Sequence, residues 1–445
     1  MLKKLRLLFP VALSRMSSAA PITSSTAESK LRRRRTLGLT LTALLLAWSS
    51  PGGHAAAGIT LTVSRWAGPQ ADAQRQLLDE YAKEAGVTVK LDAIDYGQLK
   101  QKQTLNMRTK TGEYDLVYVP EAWMGEYAKA GYLTSLDNYV TNPKLTGDDW
   151  NFADLAKVGL NIYTVDGSLL ALPYFVQTPL LVYNQDALKQ GGFAAPKTWA
   201  DLLKIAKYFK EKGSGIALPY RQGSAITDVL AVLLAGNGAS FFNPEGKLAL
   251  TQPAVVETVK FMQELGQYSL NGSKGWHWDE VNKALQFGQA PMGITASGLV
   301  KALEDENDSN VAGKLGYAAI PYNKQPAALL QSWAWAVPAD SKHKEESFKL
   351  AAWLTSKAAL SKMSKADPSF ISFRVSLASD PEIAKKAPWL GTANQALANG
   401  VTLPLRPDAP ELLNALATGL SGVVTNGDDP AKMLEGVQTS LASKF

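Results

Sequence analysis

Between Ile59 and Trp66 apolar and polar residues alternate in a β-branched run, Ile-Thr-Leu-Thr-Val-Ser-Arg-Trp, which predicts a strand. A Gly68-Pro69 turn follows, and from Asp72 to Ala85 the period changes, with Leu77, Leu78, Tyr81 and Ala82 at helical spacing. Val87-Thr-Val-Lys-Leu91 predicts a second strand, the stretch carrying Leu99 and Leu105 a helix, and Tyr114-Asp-Leu-Val-Tyr-Val119 a third strand. Strands and helices alternating through short links imply a parallel sheet covered by helices, an α/β fold class. Ligands of such sheets lie beyond the carboxyl ends of the strands. That rule points to Trp66, to Asp95 with Tyr96, and to Glu121 and Trp123 in the segment 120–123.

The run Leu169-Leu-Ala-Leu-Pro-Tyr-Phe-Val-Gln-Thr-Pro-Leu-Leu-Val-Tyr-Asn184 has the apolar content of two buried strands joined end to end. Pro179 has no N–H to give to a ladder, so one central strand cannot continue through it, whereas a crossing between two sheets can. Beyond it the α/β pattern restarts. Thr198 can cap a helix from Trp199 to Glu211, with Asp201 at the capping-box spacing. A strand is expected over 215–220, helices over 226–236 and 253–268, and strands over 316–320 and 333–337. Residues 345–364 read as helical, and the tail 409–444 as two more helices.

A chain of 445 residues with 46% hydrophobic content can bury two or three cores. Its formal charge of +6 suggests an acidic partner until the placement of the charges is considered. Residues 1–57 hold nine basic residues and one acid, leaving 37 basic against 39 acidic in the remainder, so nucleic acid is not an expected partner. The segment 1–57 has the order of an export signal: Arg32 to Arg35, the apolar stretch Leu37 to Trp48, and Ala55-Ala56-Ala57 before a mature start near Gly58. Twelve residues interrupted by Thr40 and Thr42 fall short of the roughly 20 that cross a bilayer. The expectation is a cleaved signal peptide and a periplasmic chain, with Met1 or Met16 as start and the Sec and twin-arginine routes both open. With no cysteine, and only His277 and His343 after the leader, disulfides, a His-rich metal site and a Ser-His-Asp triad are not expected. No cofactor, metal or catalytic residue is assigned.

Several segments, in order, carry a resemblance. They are Tyr114-Asp-Leu-Val, Gly131-Tyr-Leu-Thr-Ser-Leu-Asp137, Leu172-Pro-Tyr with Leu181-Val-Tyr-Asn184, Pro196-Lys-Thr-Trp-Ala-Asp-Leu202, Phe287-Gly-Gln-Ala-Pro-Met-Gly-Ile294 and Ser332-Trp-Ala-Trp-Ala-Val337. Together they resemble the carbohydrate-binding family of extracellular solute-binding proteins of ABC importers, which includes maltose-, trehalose- and polyol-binding proteins. The resemblance implies a type II periplasmic binding protein, with two discontinuous α/β lobes joined by hinge crossover strands near 174–180, 292–297 and 329–335. Lobe 1 would comprise 58–175 plus 295–330, and lobe 2 180–292 plus 333–445. It further implies a monomer, not an enzyme, that captures a carbohydrate or polyol in the cleft and delivers it to an inner-membrane ABC permease. Gln331-Ser332 stands where a Gly pair is usual, and Pro291 where Ala is usual.

A sugar or polyol offers an apolar C–H surface and a rim of hydroxyls, so its site needs aromatic plates with carboxylate, amide or guanidinium groups. Trp66, Trp123, Trp276, Trp278, Trp333 and Trp335 fall at expected strand ends, loops or crossovers, where each either meets ligand or serves the core. Trp333, nearer the crossover than Trp335, is the better candidate for the cleft. Asp95 and Glu121 either accept hydroxyl hydrogens or are ordinary exposed acids. Tyr174 follows the Leu-Pro pair where the family often borders ligand, and Gln177 either joins it or satisfies backbone groups at the broken ladder. Tyr220 and Arg221 end an expected strand, and Arg374 resembles a Pro-x-Arg segment that borders the cleft in relatives, without its proline. An exported glycoside hydrolase or lyase, and a binding protein of the same fold for a polyamine or iron, are the competing readings.

Overall fold

The computed structural model describes residues 58–445 apart from Pro69, Asp148, Asp149 and Ser379; the leader and the proline of the expected turn lie outside it. Strand Thr60–Trp66 pairs in parallel with Thr88–Ile94 and Leu116–Pro120. Helix Ala71–Ala85 between the first two buries Leu77, Leu78 and Tyr81, the positions set by its period, and helix Tyr96–Thr109 buries Leu99 and Met107. The complete sheet has six strands in the order Ile371–Ser372, Leu172–Gln177, Gln331–Ala336, Leu116–Pro120, Thr60–Trp66, Thr88–Ile94. Gln331–Ala336 runs antiparallel to both its neighbours, with a register shift between Trp333 and Ala334.

A second sheet is built on Pro179–Asn184, flanked antiparallel by Met292–Ala296 and Leu315–Ala318. Thr178 alone separates it from the first sheet's Leu172–Gln177, so Pro179 opens a strand, a place where its missing donor is tolerated. Leu181, Met292 and Ile294 face a second core shared with helices Trp199–Glu211, Ser224–Gly236, Pro253–Gln267 and Ala409–Asn426. Leu180 and Val182 face the opposite way, into apolar packing with Val281, Leu285 and Val300 that continues into the first core. Burial on both faces explains the unbroken apolar run of that strand.

Three local expectations change. Over 215–220 there is no strand, only isolated bridges from Ile216 to Ser269 and from Ala217 to Gly293, because Pro219 withholds a donor just beyond them. The helical stretch 345–364 is two helices, Lys344–Leu354 and Lys357–Ala366. Thr355 folds its hydroxyl back onto Ala351, and Ser356 caps the second helix through the Ala359 amide at 3.2 Å.

The third change concerns which segments share a core. Residues 315–318 pair with the second sheet and Ile320 and Leu329 pack in the second core, whereas the buried apolar residues from Leu330 to Ala393 lie in the first, unlike the expected division into 295–330 with the first lobe and 333–445 with the second. After Ala296, the segment Ser297–Glu304 packs Val300 and Leu303 into the first core's cluster, yet the chain returns to the second sheet at Leu315. A further passage after helix Leu390–Leu397 takes Leu403 and the terminal helices Ala409–Asn426 and Pro430–Leu441 to the second core. The chain therefore passes between the two cores more often than three single crossovers would carry it.

Candidate functional site

Three parallel strands end at one rim. Trp66 is the last residue of its strand, Tyr96 opens the helix after Ile94, and Glu121-Ala122-Trp123 forms a short 3-10 turn directly after Pro120. The indoles of Trp66 and Trp333 stack with centroids 6.1 Å apart and planes 19° apart. Tyr96 stands edge-on to Trp66 at 5.6 Å and stacks on Trp123 at 5.9 Å, while Trp333 also lies 5.3 Å from Phe175. Trp123, Tyr96, Trp66 and Trp333 thus form a continuous aromatic wall. Trp123 and Trp333 are buried, Trp66 is half-buried and Tyr96 is 42% exposed.

Two carboxylates reach this wall from different cores. Glu121, 4% exposed, accepts the Ser332 amide at 2.7 Å and its hydroxyl at 3.3 Å, and the Ser332 hydroxyl lies 3.0 Å from the Tyr163 hydroxyl. Asp228, 3% exposed on helix Ser224–Gly236, accepts the Gln331 amide at 2.7 Å, and Gln331 in turn accepts from Gln177 at 3.3 Å. Adjacent residues of one crossing strand therefore hold an acid from each side. Burial pushes the Glu121 carboxyl up to about 7, against the pull of its Ser332 hydrogen bonds. Burial also pushes Asp228 well above the usual carboxylate range, and the nearby Glu121 charge pushes it further, while the Gln331 bond works the other way.

Beside the wall, a cavity of about 260 Å³ is lined by Lys100, Ala122 and Trp123 on one side and by Ser224, Thr227 and Pro404 on the other. Lys100 is itself paired with Glu126 at 2.7 Å. Larger hollows lie elsewhere, among them one of about 1010 Å³ at Trp150 and Trp353 and one of about 510 Å³ at Trp276, and none of the four wall rings lines either of these. The smaller cavity is marked by its neighbours: Trp123 of the wall, next to Glu121 in the chain, and Thr227, next to Asp228, line it, while the two acids lie behind them.

Of the residues singled out from sequence, Trp66, Glu121, Trp123, Gln177 and Trp333 converge on this region, and the others do not. Asp95 caps its helix, accepting the Gly97 amide at 2.9 Å. Tyr174 is 1% exposed and enclosed by Tyr118, Trp335 and Phe370. Tyr220 lies in the second core, donating to the Met262 carbonyl at 3.3 Å, and Trp278 is buried there at the start of helix Trp278–Gln286. Arg221 pairs with Glu280 at 3.1 Å, and Trp276 lines the separate 510 Å³ hollow. Arg374 is enclosed: its Nε donates to the Thr355 carbonyl at 2.8 Å, it donates also to the Asn151 carbonyl, and it lies 3.5 Å from Asp154. Its guanidinium ties loops together and is not presented to the cavity. Tyr96, to which the strand-end rule also pointed, joins the converging residues, whereas Asp228, Gln331 and Ser332 were not among the candidates. Asp228 had a signal, being the lone charged residue in the largely apolar run 225–236, and Gln331-Ser332 had one in standing where the resemblance leads to a Gly pair.

A model of the family described as bacterial extracellular solute-binding protein matches residues 67–360. A probable amino-acid ABC transporter periplasmic-binding protein of Sinorhizobium fredii is 26% identical over 315 residues, 69% of this chain and 71% of the relative. The mannitol-binding protein of Pseudomonas aeruginosa is 24% identical over 281 residues, 61% of this chain and 63% of the relative. The crystal structure of an ABC transporter solute-binding protein from Agrobacterium radiobacter in complex with ribitol superposes with a TM-score of 0.78 at 25% identity, covering 87% of this chain and 99% of the other.

Proposed function

This chain belongs to the bacterial extracellular solute-binding protein family, and from that premise we propose that it captures a sugar, oligosaccharide or sugar alcohol for an ABC importer. The observation that carries the reading is the pairing of an aromatic wall with Glu121 and Asp228 beside a cavity lined from both cores. Indole faces accept the C–H surface of a polyhydroxylated solute, and carboxylates and amides take its hydroxyls. The likeness to a ribitol-bound structure and a mannitol-binding relative supports this solute class.

In the proposed cycle the two cores act as lobes that part at their crossing strands, admit solute, and close on it. Closure is favoured only by contacts that solute makes with both lobes at once. Glu121 and Trp66 come from one side, Asp228 and Thr227 from the other. The closed monomer would then dock on an inner-membrane permease from the periplasm. No helix among the described residues is long and apolar enough to cross a membrane.

Two buried acids near a cavity would also suit glycoside hydrolysis, but both are anchored by Ser332 and Gln331 on a single strand, an arrangement that serves binding without requiring turnover. A thermal-shift screen against sugars and alditols tests the reading, because a ligand held only by the native state raises the melting temperature. At least one alditol or sugar is expected to raise it while remaining chemically unchanged. A flat response across the panel, or release of cleavage products, would contradict the proposal.

A further inference from the structure

Glu121 and Asp228 share a feature that neutral hydroxyls leave unanswered. Both are almost fully enclosed, and among the described residues the ion pairs run elsewhere: Lys100 is held by Glu126 and Arg221 by Glu280. A buried carboxylate without a counter-charge is costly, and a cation brought between two of them relieves both. The surrounding rings favour the same sign, since the face of an indole or phenol attracts cations through its quadrupole. Tyr96 lies close enough to feel both acids, stacks on Trp123 and meets the edge of Trp66. Trp333 immediately follows Ser332, the residue that holds Glu121.

We propose that the captured solute carries a protonated amine, as an aminated polyol or amino sugar, with its ammonium held between Glu121 and Asp228 against the Trp66, Tyr96, Trp123 and Trp333 rings. The proposal rests on the reading of this cavity as the solute site. The remaining hydroxyls meet Gln177, Gln331 and Thr227, which carry no charge.

A pH signature distinguishes this from recognition of a neutral polyol. The groups facing the acids are Tyr96 from its helix, Tyr163 through Ser332, and each acid for the other. Burial holds protons on the two carboxyls, with Glu121 up to about 7. An ammonium favours their charged forms, so the complex binds fewer protons than the free protein. Binding should therefore release protons and strengthen as pH rises through about 7.

The test is titration calorimetry of the protein with 1-amino-1-deoxy-D-mannitol and 1-amino-1-deoxy-ribitol beside D-mannitol and ribitol, in buffers of different ionisation enthalpy. An alkylamine stays charged well above neutrality, with a pKa near the lysine value of about 10.4. The amine of at least one pair is expected to bind about tenfold or more tightly than its parent near pH 8, with proton release and with the advantage shrinking near pH 6. Glu121→Gln and Asp228→Asn should erode the preference; should either fail to fold, proton release by the unaltered protein decides. Equal or tighter binding of the neutral member overturns the amine while leaving solute capture intact, whereas binding of neither series overturns both.

Discussion

Glu121 joins the chemistry of the site to the stability of the fold. Its carboxyl is raised from an ordinary value of 4.5 to about 7 by burial, so the folded state holds a proton that the unfolded chain has lost. Its contribution to stability is therefore complete below about 4.5 and lost as pH rises to about 7, beyond which it is flat. Urea denaturation between these limits should show stability falling with pH, and Glu121→Gln should flatten that fall; an unchanged slope in the variant would assign the dependence to other groups. The meeting of Glu121 and Trp66 at one rim was legible in the sequence because both follow the carboxyl ends of parallel strands. Tyr174 was not, since alternation says that a side chain faces one side of a sheet but not whether another layer covers it. Here Trp335 and Phe370 do.

Arg374 makes the same point between elements. Its guanidinium bridges the Asn151–Asp154 segment, the end of helix Lys344–Leu354 at Thr355, and the turn after Ile371–Ser372. Truncation to Ala would leave the Thr355 and Asn151 carbonyls without their donor and take the counter-charge from Asp154, which keeps only its Ser376 bonds, a loss of about 3 kcal/mol on the scale of broken buried pairs. Urea unfolding should show that loss while solute affinity stays within about twofold; a large loss of affinity with intact stability would return Arg374 to the cleft. The strands, most helices and the Pro179 junction could be read from period and capping signals. The Thr355-Ser356 break and the failed strand at Pro219 came from local hydrogen-bonding choices that period alone does not weigh.

For the molecule as a whole, Gly125 marks how closely the two halves approach. It lies on the short helix Met124–Lys129 of the first core, and a Cβ there would run into the Leu405 carbonyl oxygen on the segment leading to the second core's terminal helices. Backbone cannot yield as a flexible side-chain tip can, so Gly125→Ala should hold the halves apart at a cost of about 1–3 kcal/mol to the closed arrangement. Small-angle scattering should record a larger radius of gyration and titration a weaker affinity; an unchanged radius would mean that the contact does not control closure. The distribution of segments between the halves was the least legible feature, because the excursion of 297–311 and return at Leu315 leave no mark in hydrophobic pattern. The central claim, that a polyhydroxylated solute is gripped against the strand-end aromatic wall, is tested most directly by titration calorimetry with sugars and alditols on the unaltered protein and Trp66→Ala side by side. The expected result is saturable one-to-one binding, weakened by about 1–3 kcal/mol in the variant, and the contradicting result is binding to none of them or equal affinity in both proteins.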